Sequence, residues 1–121
     1  MYLSVPIASK STGSTGLTIE ECLADYSKIE YLDGQDKWYC EKCLKHQPAV
    51  KKIDIWKLPS ILIVCLKRFK VIGRTNKYNK IEDLVTFPMN NLDLSPYVSS
   101  PQKERPMYDL FAVANHEGNM N

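Results

Sequence analysis

The sequence predicts an α+β fold with a mainly antiparallel sheet, one N-terminal helix and a Cys-x-x-Cys knuckle. Three observations carry this. Ile19, Cys22, Leu23 and Tyr26 recur on one face at helical spacing, and Thr18 with Glu21 three residues later completes a capping box, so a helix is expected over about 18–28. Behind it, segments rich in β-branched and aromatic residues are separated by Gly, Pro, Asn and Asp, the punctuation of successive strands. Between the helix and those strands lies Trp38-Tyr39-Cys40-Glu41-Lys42-Cys43, two cysteines on a two-residue spacer.

Each element has its own local reason. Residues 2–7 (YLSVPI) read as a short strand ended by Pro6, and residues 9–16 (SKSTGSTG) form a Ser/Thr/Gly linker with no means of building a core. Asp33-Gly34 signals a turn into the knuckle. Residues 50–56 alternate, with Val50, Lys52, Asp54 and Trp56 on one face and Lys51, Ile53 and Ile55 on the other. The continuous apolar run opening residues 61–69 (ILIVCLKRF) predicts a central strand buried on both faces. Residues 73–79 are a polar loop, and residues 81–87 a strand stopped by Pro88. Residues 92–97 read as one helical turn ended around Pro96, and residues 101–106 as another loop. Residues 108–114 (YDLFAVA) have strand composition and run into the turn-like Asn115-His116-Glu117-Gly118.

Composition sets the bounds. With 121 residues, 44% hydrophobic and 25% charged, the chain has the balance of an ordinary globular unit, and one such unit is the ceiling. Its longest apolar run, residues 61–66, is far short of the ~20 residues a bilayer-spanning helix needs. No membrane partner is expected. The N-terminus has neither a basic region nor an apolar stretch of secretory length, so reduced thiols and a cytoplasmic and/or nuclear location are expected. A formal charge of +2 does not argue for nucleic acid. The basic run over 67–80, with Phe69 and Tyr78 interleaved, is read as a solvated strand end and loop, and no nucleic-acid partner is expected.

Cys40 and Cys43 are the sharpest chemical signal. A two-residue spacer lets both thiolates enter one tetrahedral site while knuckle amides steady them, yet a structural zinc needs four ligands. Cys22 on the apolar helix face and Cys65 inside the strand of 61–69 read as core residues. His46 lies three residues after Cys43 within reach of the same metal, but its turn context fits a surface histidine. Either the missing ligands come from outside the segment or the knuckle is metal-free. A redox pair would open a helix after a strand, and this one does not. No thiol here has the partner histidine and exposed, activated setting that nucleophilic catalysis requires.

The order of these motifs resembles the ubiquitin-specific protease family, papain-like deubiquitinases built as thumb, palm and fingers. The matching pieces are Tyr2-Leu3-Ser4-Val5-Pro6 as a finger strand, Leu17-Thr18-Ile19-Glu20-Glu21-Cys22-Leu23 as the helix, and the Cys40/Cys43 knuckle. Lys51 to Pro59 (KKIDIWKLP), residues 61–69 ending in the Leu-Lys-Arg-Phe signature, Val85-Thr86-Phe87-Pro88 and residues 108–118 follow in the family's order. The match covers nearly the whole chain and lies closest to the subgroup with a long insertion between finger strand and helix. The linker over 9–16 is far shorter than that insertion, and the sequence leaves open whether it is natural or engineered. The implied organisation is one partial domain over 1–121, with the finger strand in 1–8, the linker in 9–16, and helix, knuckle and palm strands in 17–121.

The resemblance implies roles by position. Cys40 and Cys43 are two of four zinc ligands, the other pair lying upstream of residue 1. Phe69, Val71 and Arg74 belong to the strand end and loop over the channel that takes ubiquitin's C-terminal tail, and His116, Glu117 and Gly118 begin a second such loop. The family's nucleophile box, Gly-Asn-Thr-Cys-like, and its Gly-His-Tyr motif do not occur in this sequence, and His116 matches the earlier histidine of Asn-His-x-Gly. No catalytic residue is therefore assigned. The expectation is a fragment of a thiol-dependent deubiquitinase, inactive alone, partnered by ubiquitin or ubiquitinated proteins and by the rest of its own domain, and inclined to self-associate. The competing reading is a non-catalytic zinc-knuckle module that binds ubiquitin or another protein.

Overall fold

The computed structural model describes residues 1–8, 16–71 and 78–118. The elements in chain order are β1 (Tyr2–Pro6), β2 (Leu17–Thr18), α1 (Ile19–Ser27), β3 (Glu30–Leu32), a 3-10 turn (Gly34–Asp36), β4 (Trp38–Cys40), β5 (Lys45–Gln47) and β6 (Ala49–Lys51). There follow β7 (Ile63–Lys67), β8 (Phe69–Val71), β9 (Tyr78–Lys80), β10 (Val85–Thr86), β11 (Leu92–Asp93), a second 3-10 turn (Ser95–Tyr97) and β12 (Met107–Tyr108).

The core is built on β1, whose period-two pattern turns Leu3 and Val5 inward, with Ile7 continuing the series; all three are buried. β1 runs parallel to β7 in a register from Tyr2↔Ile63 to Pro6↔Lys67. α1 packs against β1 through Ile19, Cys22 and Leu23, all buried. Each fully buried side chain of the leucine or valine class stabilises by about 1.5–3 kcal/mol. Leu17, Ile55, Val85 and Leu94 complete the same cluster. The helix begins where its cap dictates: Glu21 N–H donates to Thr18 Oγ1 at 3.1 Å, and Thr18 N–H donates to Glu21 Oε2 at 2.8 Å.

Distant segments close over this core by single strand pairings and side-chain ties. β2 and β10 pair in parallel, Ile55 bridges Val98 in parallel, and β11 pairs with β12 antiparallel. The Tyr97 hydroxyl donates to Glu20 O at 3.0 Å, which pins the second 3-10 turn to the first turn of α1. The Tyr108 hydroxyl reaches Pro59 O across the molecule.

One helix with mostly strands makes an α+β chain, as predicted, but its sheet organisation differs. Among the described residues the strands form six two-stranded ladders, four antiparallel and two parallel, and the ladder carrying the core is the parallel β1–β7 pair. The strand expected to be buried on both faces is β7, and it is covered on one: Ile61 and Ile63 are 59% and 57% exposed. A continuous apolar run encodes two covered faces, and only α1 and its neighbours supply cover here. Of the strand expected over 50–56, β6 and the Ile55 bridge form; of that over 81–87, only β10. Of 108–114, only Tyr108 joins a ladder; beyond it Leu110 N–H donates to Met89 O at 2.8 Å, outside any strand. These segments have strand composition but lack a neighbouring edge to pair with. No described helix is long and apolar enough to cross a membrane. The linker expected over 9–16 and the loop over 73–79 lie largely outside the described residues.

Candidate functional site

The chain turns sharply between β7 and β8, and Arg68 stands at the turn. Its N–H donates to Leu66 O at 2.9 Å, and its carbonyl accepts from Ile81 N–H at 2.6 Å. Its guanidinium Nη1 donates to Ile81 O at 3.1 Å and to Asp83 O at 2.8 Å. One partly buried side chain thus ties the turn to the strand returning from the hairpin. Beyond it, β8 and β9 pair with Phe69 opposite Lys80, Lys70 opposite Asn79 and Val71 opposite Tyr78.

Strand alternation puts Phe69, Val71, Tyr78 and Lys80 on one face of this hairpin. The C-terminal segment meets that face. The Phe69 and His116 rings lie edge to face with centroids 5.6 Å apart and an interplanar angle of 89°. Lys80 Nζ donates to Gly118 O at 3.1 Å, a contact between residues 38 positions apart. Gly118 has φ +100°, a conformation side-chain-bearing residues rarely adopt, so the carbonyl presented to Lys80 depends on glycine. Behind the hairpin an open cleft of about 600 Å³ is lined by Ile7, Lys70, Asn79, Lys80 and Glu82, among others.

The structure therefore brings Phe69, His116 and Gly118 together. Val71 sits two residues further along β8 and is 57% exposed, and Glu117 is exposed between its neighbours. Arg74 lies outside the described residues. Sequence reasoning gave no separate role to Lys80 or Arg68. A signal existed for Arg68, because an arginine two residues past an apolar run, where the chain leaves the core strand, needs acceptors for its guanidinium donors.

The knuckle is a separate structure. β4 and β5 pair with Tyr39 opposite His46 and Cys40 opposite Lys45. Directly opposed residues share a face, so His46 stands on the far side of the ladder from Cys40. It packs edge to face on Tyr39, centroids 5.2 Å apart, a surface histidine rather than a third donor. The connecting turn closes with Leu44 N–H on Cys40 O at 2.8 Å and Leu44 at φ 53°. The Cys43 amide and then the Cys43 thiol hold the Cys40 thiol below its ordinary range against the opposing effect of burial, with the Lys42 amide adding to them. A turn whose amides favour thiolate suits a metal ligand pair. All four cysteines are free, and Cys22 is buried in the core as expected. Among the described residues no three His, Cys, Asp or Glu side chains form a group able to hold a metal. The donor set fits half a zinc site.

Comparison with known proteins places this arrangement. The family model described as "Ubiquitin carboxyl-terminal hydrolase" matches residues 13–121. Ubiquitin carboxyl-terminal hydrolase 4 of Bos taurus is 42% identical over 108 residues, covering 88% of this chain and 11% of that protein. Ubiquitin carboxyl-terminal hydrolase 19 of Homo sapiens is 40% identical over 114 residues, 93% of this chain and 9% of that protein. Among solved structures, the SAGA Ubp8/Sgf11/Sus1/Sgf73 DUB module bound to ubiquitin aldehyde matches with TM-score 0.71 and 30% identity, covering 96% of this chain and 25% of that one. A SAGA DUB module bound to monoubiquitin matches with TM-score 0.70 and 32% identity, covering 96% and 24%. The chain thus spans about a tenth of these curated relatives' length and a quarter of the solved chains. With a family match across most of its length and relatives at this identity, the chain belongs to the ubiquitin carboxyl-terminal hydrolase family.

Proposed function

We propose that this chain is the palm-and-fingers part of a thiol-dependent deubiquitinase, supplying scaffold, half a zinc site and both loops that guide ubiquitin's C-terminal tail. The observation that carries this reading is the convergence of two separately predicted tail segments, with Phe69 against His116 and Lys80 against Gly118. Relatives that are ubiquitin carboxyl-terminal hydrolases, and solved neighbours bound to ubiquitin aldehyde and monoubiquitin, support ubiquitin as the partner.

In the complete enzyme, a cysteine thiolate attacks the carbonyl carbon of ubiquitin's terminal glycine, and a histidine delivers a proton to the departing amine. Water then releases the acyl group from the sulfur. The groups for those steps belong to motifs absent from these 121 residues. This chain's own part is to bind and orient the tail: a hairpin face carries Phe69 and Val71 along one side, His116, Glu117 and Gly118 close the other, and Arg74, outside the described residues, is proposed for the same role from its place in the sequence. Cys40 and Cys43 would hold a structural zinc together with two further ligands, which would fix the knuckle in place. Four free cysteines accord with a reducing, cytoplasmic or nuclear setting. The rest of the domain, or failing that a second copy of the chain, covers the apolar surface left open.

Titrating this chain into isotope-labelled ubiquitin tests the proposal. Shifts confined to ubiquitin's C-terminal tail and the adjoining surface are expected. Shifts only at a remote face would instead identify a non-catalytic binding module, and no shifts at millimolar protein would overturn the reading. Incubation with a ubiquitin–fluorophore amide is expected to give no turnover, and an enzyme-like rate would overturn the assignment of the catalytic groups elsewhere.

A further inference from the structure

The tail segments touch at one rung of the hairpin. Phe69 and Lys80 are directly opposed partners, the first pair after the turn at Arg68, and each makes a contact to the C-terminal segment. A rung of two residues has no rigidity of its own, since an isolated two-stranded ladder this short is marginal in water. Its position must be set from its base. At that base Arg68 is bound on both sides: its backbone holds Leu66 and Ile81, and its guanidinium holds the carbonyls of Ile81 and Asp83. Ile81 directly follows Lys80, and Arg68 directly precedes Phe69. The same residue therefore fixes both ends of the rung.

The geometry points to Arg68 as the positioning residue of the tail channel, acting through the Phe69–Lys80 rung on His116 and Gly118. This deepens the ubiquitin-tail reading and rests on it for its consequence, though not for the contact itself. The hydrogen bonds of Arg68 go to Leu66, Ile81 and Asp83, so it acts through the rung. Its planar guanidinium, donating from one nitrogen to two carbonyls, keeps the rung at the height where the Phe69 and His116 rings meet edge to face and Lys80 reaches Gly118 O. The residue type matters because these acceptors are backbone carbonyls of one segment, and a fork of fixed geometry holds two of them where a flexible ammonium samples several arrangements. Loss of the guanidinium frees the hairpin base and separates the two walls of the channel while the core at Leu3, Val5 and Leu23, carried by β1 and α1, stays in place.

The test uses the full 121-residue chain, isotope-labelled, with three variants: Phe69→Leu, Arg68→Gln and Arg68→Lys. In the parent, the His116 ring protons sit in the ring current of Phe69, and Phe69→Leu is expected to return them to the position of an unconstrained histidine. Arg68→Gln is expected to move them most of the way, and Arg68→Lys part of the way, with the Leu3, Val5 and Leu23 methyl signals unmoved. If Arg68→Gln unfolds the chain, so that those methyls collapse, Arg68→Lys decides alone. His116 signals unchanged in every folded Arg68 variant would overturn the proposal, as would unchanged signals in Phe69→Leu. A second arm measures ubiquitin binding, where Arg68→Lys is expected to weaken affinity roughly tenfold. Absence of ubiquitin binding by the parent chain would defeat the functional reading and leave the ring-current result to judge Arg68 as the anchor of the rung. Equal affinity of parent and a variant that releases His116 would overturn the channel role.

Discussion

At the scale of single residues, burial and hydrogen bonding set the consequences of substitution. Leu23 is fully buried between α1 and β1, so Leu23→Ala should cost about 2–5 kcal/mol through lost transfer energy and the cavity left behind. Chemical denaturation read by Trp fluorescence would show this as a lower midpoint at unchanged slope. Asp93 makes a different prediction. Its carboxylate accepts from the Ser95 hydroxyl at 2.5 Å and Ser95 N–H at 2.9 Å and pairs with Arg105 at 2.7 Å; Ser95 and then Arg105 hold it below the usual carboxylate range despite some opposing burial. A depressed folded pKa means the contribution is complete above the unfolded aspartate value, about 3.9, and disappears as pH falls through the folded value. A carbon-detected titration of the Asp93 carboxyl should therefore have its midpoint below that of a model aspartate, and Ser95→Ala should move it upward. A midpoint at the model value would contradict the geometry.

At the scale of elements, what could be read depended on whether the signal was local. The Thr18–Glu21 box fixed where α1 begins because both partners lie within one turn. Thr18→Ala should lower stability by about 1 kcal/mol, measurable as a loss of helicity at 222 nm and a lower denaturation midpoint. β1 was equally legible, since Leu3, Val5 and Ile7 carry their own alternation. The knuckle could be placed from Cys40 and Cys43, whereas the face of His46 could not, because it follows from the pairing of Tyr39 with His46. β7 and the segment after Tyr108 were over-read for a related reason: apolar composition states how much cover a strand needs, and only the fold states how much it has. The site was half legible. Phe69, His116 and Gly118 were named from the order of motifs, but their meeting, and the part of Arg68 and Lys80 in it, depends on contacts far apart along the chain. For the knuckle, zinc added to the chain together with a peptide carrying a second Cys-x-x-Cys should protect Cys40 and Cys43 from alkylation, and Cys43→Ser should abolish that protection.

At the scale of the whole molecule, the decisive quantity is apolar surface left without cover. Phe111 is 78% exposed, Leu84 69%, Met89 61% and Ile63 57%: Ile63 opens β7, Leu84 and Met89 flank β10, and Phe111 lies beyond β12 in a segment with strand composition and no ladder. Apolar side chains open to water gain by being covered, and an unpaired backbone edge beside them is a template for another strand. The segment after Tyr108 offers both, since its regular backbone pairing ends at that residue. The chain alone should therefore associate with itself at micromolar to millimolar concentration, seen as a rising weight-average mass in sedimentation equilibrium. Phe111→Lys should reduce that association without changing the melting temperature of the monomer, because the ring contributes nothing to the β1–α1 core. A chain that stays monomeric across this range and melts well above ~45–65 °C would show that its open surface needs no cover. On the proposed reading, a polypeptide supplying the remainder of a ubiquitin carboxyl-terminal hydrolase domain should suppress self-association in direct competition, if both cover the same exposed side chains. Persistence of the self-associated species in its presence would place the two surfaces apart.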